Sequence, residues 1–146
     1  MAQGSFAAAV GAWAAQTKGR MLAVRNEAAQ RVVEVMQTPV SLGGNLRVDT
    51  GFLRASLVAI NGSSLPALTE NPGDRQFSYD GAQVQLVIAE AAITDSLIFV
   101  YTANYARPRE YGSRGQSGDR FVALAAQQWQ RIVSEVVTEA RQRAGG

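Results

Sequence analysis

The sequence predicts an α+β domain: a small, mostly antiparallel β-sheet packed against two long helices, one N-terminal and one C-terminal. Three observations predict it. Apolar residues recur at steps of three and four through residues 5–37 and again through 121–143, which is the spacing of one helix face. Between them, the β-branched and aromatic runs 57–60 and 97–101 have strand composition, and Val84, Leu86 and Ile88 alternate along 84–88. A chain of 146 residues, 47% apolar and 18% charged, supports one domain with a real core, taken here as 1–146.

The elements follow in order. Phe6, Val10, Trp13, Thr17, Met21, Val24, Ala28, Val32 and Val35 form the stripe of the first helix, with Ser5 as its expected N-cap. Pro39 pushes Thr38 out of helical geometry and ends it. Such a helix is roughly 50 Å long, more than a small domain needs; Gly11 or Gly19 can interrupt it, and its stripe is either buried in part against other subunits or is this domain's own core. Residues 40–48 read as a polar connection, Asp49-Thr50-Gly51 as a turn and cap, and 52–56 as a short helix. Strand 57–60 follows. Residues 61–81 hold Pro66, Pro72 and three glycines and read as a long loop, expected to order only against a neighbouring subunit. Strand 84–88, a connection and strand 97–101 come next. Asn104 is an expected cap for a short helical turn, which Pro108 keeps short or distorted. Gly112, Gly115 and Gly118 keep 113–119 a loop, and Asp119 is the expected N-cap of the last helix. That helix carries Phe121, Leu124, Ala125, Trp129, Ile132 and Val136 on one side and a Glu139–Arg143 pair on another. The two long helices are expected to pack together, burying Trp13 and Trp129.

Composition narrows the chemistry. With no cysteine and no histidine, the chain lacks disulfides, thiolate nucleophiles, imidazole bases and the usual zinc ligands. No cofactor or metal is expected. No apolar run approaches the ~20 residues that span a bilayer, and the start lacks the basic region of a signal peptide. The expected setting is a reducing cytoplasm, or a particle that leaves it. Net charge is only +2, so a pI of about 9.4 overstates the basicity. All basic residues except Lys18 are arginine, a side chain suited to planar, bidentate contacts. Lys18 stands in no Ser-x-x-Lys frame, Glu90 and Asp95 read as solvated turn acids, and 112–118 lacks the Gly-Lys-Ser/Thr of a phosphate loop. An enzyme is therefore not expected.

Charge and aromatics gather at 101–121. Arg107, Arg109, Arg114 and Arg120 stand with Tyr105 and Tyr111, a composition able to grip a nucleic-acid strand or to form a protein–protein contact. Glu110 and Asp119 dilute the positive charge and favour the contact.

Two segments carry a resemblance. The first is Thr38-Pro39-Val40 followed by Val48-Asp49-Thr50-Gly51-Phe52-Leu53-Arg54-Ala55-Ser56-Leu57. The second is Asn104-Tyr105-Ala106, then Glu110-Tyr111-Gly112, then Phe121 and an alanine-rich helix. In this order they resemble the tail-completion proteins of long-tailed bacteriophages and phage-like particles, also called tail terminators or neck proteins. Residues 41–47 are an insertion relative to that pattern, Arg107-Pro108-Arg109 replaces a smoother helical stretch, and Gly118-Asp119-Arg120 replaces the usual proline before Phe121. The resemblance implies a structural subunit of the virion neck, assembled in the host cytoplasm. Such subunits form a hexameric ring that caps the tail tube protein and meets the head connector or stopper. DNA passes non-specifically through the lumen, no membrane is involved and no reaction is catalysed. By position, Asp49, Thr50, Gly51 and Arg54 fall in the first motif and Tyr105, Glu110, Tyr111 and Gly112 in the second. Arg54 and Glu110 either pair, within or between subunits, or are simply solvated, and Tyr105, Arg107, Arg109, Tyr111 and Arg114 are expected to form one side of the interface. Asp74, Asp80 and Glu90 are its expected acidic complement. A stopper (head-completion) ring and an arginine-rich nucleic-acid-binding module are the alternatives.

Overall fold

The computed structural model describes residues 2–62 and 64–143. The side chain of Phe6, Ser63 of the long loop, and Gly145-Gly146 lie outside the described residues. The architecture is α+β, as expected, with the long N- and C-terminal helices packed together.

Helix α1 (Ala2–Gln37) has 36 residues, so at ~1.5 Å per residue it measures about 54 Å. It begins before Ser5, which is therefore an interior residue rather than the cap, and neither Gly11 nor Gly19 interrupts it. Only its C-terminal half is core: Ala28, Ala29, Val32, Val33 and Met36 are buried. In the other half Val10, Trp13 and Met21 are 49%, 67% and 55% exposed. The expected burial of Trp13 is thus wrong, because the helix outruns the elements that could cover it.

After Pro39 a 3-10 turn (Val40–Leu42) and left-handed Gly43 reverse the chain, so that Leu46 enters the core. Helix α2 (Phe52–Ala55) and strand β1 (Leu57–Asn61) form where expected. Strand β2 (Leu97–Tyr101) pairs antiparallel with β1, Leu57 opposite Tyr101 and Asn61 opposite Leu97.

The expected strand at 84–88 is a helix instead, α3 (Ala82–Glu90). Val84 and Ile88 stand at i, i+4 and are buried, whereas Leu86, the middle of the supposed alternation, is exposed. Ala, Gln, Leu and Glu dominate the segment and favour helix, and Asp80 Oδ1 accepts the Ala82 N–H at 3.1 Å to start it. The helix still serves the sheet. The Gln83 amide donates to Ala59 O at 2.8 Å and accepts from Ala59 N at 2.9 Å, filling the edge of β1 where a third strand would bond.

The long loop between β1 and α3 is irregular, yet it has anchors inside the subunit. Thr69 exchanges backbone bonds with Thr102 O (2.7 Å) and Asn104 N (2.9 Å), Phe77 N bonds Thr50 O at 2.8 Å, and the Phe77 ring meets Phe52 edge-on at 5.2 Å. The expectation that it orders only against a neighbour is corrected on that point. Leu65 and Leu68, just before the Thr69 anchor, remain exposed.

The C-terminal helix is two: α5 (Phe121–Gln127) and α6 (Trp129–Arg143), separated at Gln128, whose N–H bonds back to Ala125 O in a tighter turn. Phe121, Ala125, Ile132 and Val136 face the core. Trp129 sits at the edge of that face, 40% exposed, so its expected burial also fails. Helix α6 runs back along α1. Glu139 pairs with Arg31 rather than with Arg143, and together they close the outer side of the α1–α6 contact.

Candidate functional site

The corner after β2 is built by one buried carboxylate. Helix α4 (Ala106–Tyr111) starts after Tyr105, with no side-chain cap from Asn104. It tolerates Pro108 because a first-turn N–H has no intrahelical acceptor to lose. Glu110 near its end is buried and points back into the protein. Its two carboxylate oxygens accept the N–H groups of Val122 and Ala123, each at 2.9 Å, at the start of α5. Glu110 therefore caps a helix twelve residues downstream, the place where Asp119 was expected to act. Arg120, at φ 55°, occupies the N-cap position without a capping side chain.

Residues 113–119, expected to be plain loop, hold a tight hairpin of β3 (Gly112–Ser113) and β4 (Gln116–Ser117). Its two central residues, Arg114 and Gly115, have φ of 51° and 80°, the left-handed pair that matches strand twist in a two-residue turn. Gly112 is required for a second reason: at φ 95° its missing Cβ would run into the backbone of Gln116 and Gly118.

Asp119 is released to a different task. Its side chain is only 10% exposed and receives Arg47 at 2.6 Å, with Arg109 at 4.0 Å. This clasp ties the inserted 41–47 segment to the second motif. The Asp119 hydrogen bond holds the Arg47 guanidinium above its ordinary pKa.

The two motifs do meet. Asp49, Gly51, Arg54, Tyr105 and Arg109 line one narrow crevice, and the Tyr105 ring lies 6.1 Å from Phe52. Burial pushes the Tyr105 hydroxyl above its usual pKa. Thr50 Oγ1 accepts the Phe52 N–H at 3.3 Å, and Gly51, at φ 85°, lets Phe77 O approach where any Cβ would collide. Arg54 does not pair with Glu110. Its Nε donates to Gln37 O at 2.9 Å, the Gln37 amide returns a bond to Arg54 O at 2.9 Å, and the guanidinium lies 5.4 Å over Tyr79. Tyr101 donates to Gln37 Oε1 at 2.6 Å, so Gln37 joins α1, α2 and β2.

The expected interface residues therefore divide. Asp49, Arg107, Tyr111 and Arg114 are exposed, with Arg107 6.0 Å from the Tyr111 ring. Thr50, Gly51, Arg54, Glu110 and Gly112 shape the corner from within, and Tyr105 and Arg109 lie between the groups. Of the four arginines first assigned to the patch, Arg109 already faces Asp119.

No family model, curated protein or solved structure matches this chain.

Sequence reasoning missed Gln37, Arg47, Gln83 and the roles of Glu110 and Asp119. No local signal singled out Glu110, because Asp119, immediately before Arg120-Phe121, offered a nearer cap in the sequence. Among the described residues, no group of three acids is placed to hold a metal ion and no helix is long and apolar enough to cross a membrane.

Proposed function

We propose that the protein is a ring-forming tail-terminator, or neck, subunit that caps a tail tube and joins it to the head connector, with a structural rather than catalytic role. One observation carries the reading: the chain exposes more surface than a finished monomer. A monomeric protein of 15.6 kDa ordinarily exposes about 7,200 Å², whereas this chain exposes 9721 Å². The excess of about 2,500 Å² suffices for two interfaces at the ~800 Å² per partner of a stable contact. Two different contact surfaces per subunit are what a closed ring requires. The two motifs that resemble the tail-completion family support the same reading, since they converge on one corner that presents Arg107, Tyr111 and Arg114 outward.

The test separates tails from heads in a particle-producing strain that lacks the gene, complemented with a tagged copy of the protein. Electron microscopy should show the tag on the head-proximal end of free tails, and joined particles restored. A tag found only on heads assigns the stopper role instead. Salt-sensitive binding to duplex DNA, with neither particle labelled, overturns the structural role in favour of a nucleic-acid-binding module.

A further inference from the structure

The corner after β2 is less neutral than its composition. The two acids that dilute its arginines in the sequence are both turned inward. Glu110 is spent on the first amides of α5, and the Asp119 side chain is only 10% exposed. Between the inserted 41–47 segment, α4 and the β3–β4 hairpin lies a cleft of about 360 Å³. Arg47 and Arg109 line it together with Ser113, Gln116 and Ser117, and among the described residues no acid does. Asp119 fixes Arg47 from outside that lining. It receives Nε and Nη2 and leaves Nη1 uncommitted among the described residues. Arg109 stands 4.0 Å from Asp119, beyond hydrogen-bond reach, so its guanidinium donors are likewise uncommitted. Two guanidinium charges against one carboxylate leave one positive charge unbalanced.

We propose that this cleft binds a singly charged phosphate ester, and that the ester it meets is the backbone of a nucleic-acid strand. Charge selects a single anion: one negative charge balances the cleft, whereas a doubly charged terminal phosphate overshoots it. Geometry selects phosphate over carboxylate. One arginine fork is enough to meet a planar carboxylate edge-on. Here the donors come from three sides, with Arg47 on the insertion, Arg109 on α4, and the two hydroxyls and one amide on the hairpin. That arrangement suits the tetrahedral oxygens of a phosphate. The cleft is also larger than a phosphate group, so the ester substituents have room. A strand is the source because of what surrounds the cleft. Arg107, Arg114 and Arg120 are exposed in the same corner and offer cations to neighbouring phosphates, and the exposed Tyr111 offers a ring on which a base can stack. The inference does not rest on the tail role, since the cleft lies within one subunit.

The purified full chain is titrated with dimethyl phosphate, a singly charged diester, and followed by amide NMR. The amides of Arg109 and of residues 112–117 should shift, and should shift much less with acetate at equal ionic strength. Arg109→Gln should weaken binding of dimethyl phosphate and of a short fluorescent oligothymidylate by roughly tenfold. It should also flatten the log–log salt dependence of oligothymidylate binding by about 0.7, the share of one single-strand phosphate contact. A merely structural Arg109 would not move that slope. Ser113→Asp, at an exposed position, sets a negative charge in the cleft and should weaken both ligands with an unchanged unfolding midpoint. Arg131→Gln removes a positive charge on α6, away from the corner, and should leave the slope as it is. Equal shifts with acetate overturn the phosphate assignment in favour of a carboxylate from an acidic partner protein. No shift with either ligand overturns the cleft as a site. Dimethyl phosphate binding with a salt slope indifferent to Arg109→Gln overturns the nucleic-acid backbone as the source. Tail joining that fails while the phosphate site persists counts against the ring role alone, and joining that succeeds without phosphate binding counts against the cleft alone.

Discussion

Glu110 shows how much can depend on one side chain. It is buried, and its charge is compensated by two backbone N–H groups and the N-terminal end of α5 rather than by an arginine. Glu110→Gln keeps the shape but removes the charge and turns one acceptor into a donor facing an N–H. Stability should fall by about 1–3 kcal/mol, the range for charge-assisted hydrogen bonds and helix caps. Urea unfolding monitored by far-ultraviolet circular dichroism measures this. An unchanged midpoint would remove the cap from the account of the corner. Asp119→Asn should cost less, because its partner Arg47 is half exposed and water replaces the lost contact. Neither role was legible locally. Both acids were visible in the sequence, but which of them reached the start of α5 depended on how α4 and the hairpin folded back.

At the scale of elements, the sequence was readable where one force acted alone. β1 and β2 are β-branched runs bounded by polar turns, and Pro39 stops α1 for a steric reason that needs no tertiary context. The segment 84–88 was misread because Val84, Leu86 and Ile88 satisfy a period of two while Val84, Ile88 and Ala91 satisfy the helical period. Nine residues give too little repetition to choose between them. The fold decides by burying the helical set and leaving Leu86 in water. Leu86→Lys should therefore be near neutral, within about 0.5 kcal/mol, whereas Val84→Lys places a charge in the core and should prevent cooperative unfolding near 25 °C. Thermal unfolding of both variants distinguishes helix from strand, since a strand would turn Val84 and Leu86 to the same inward face and make both substitutions strongly destabilising. The first helix was misjudged differently: its stripe is continuous in sequence, and nothing local marks Val24 as the point where the covering helix ends.

For the whole molecule, the charges on the surface bear on the ring. A ring subunit presents one surface to the unlike surface of its neighbour. Arg109 and Arg47 are engaged by Asp119, whereas Arg107 and Arg114, like Arg120, are exposed at the corner. On the acidic side, Asp80 is committed to starting α3, which leaves Asp74 and Glu90, both exposed, as the complement. Reversing Arg107 and Arg114 together to glutamate sets like charges against each other in the assembled ring while touching no buried contact of the subunit. The expected result is a folded protein with an unchanged unfolding midpoint and a yield of joined particles lowered by more than about tenfold, since like-charge juxtaposition costs several kcal/mol. Arg131→Glu is the control, because Arg131 faces solvent on α6 beside Glu135 and has no place at the corner. Adding Asp74→Arg or Glu90→Arg to the double reversal should restore joining if that acid is the true counterpart, because the pair is then exchanged rather than broken. Full yields from the double reversal would take the corner out of the ring contact and leave the exposed N-terminal half of α1 and the exposed Leu65 and Leu68 of the long loop as the surfaces to examine.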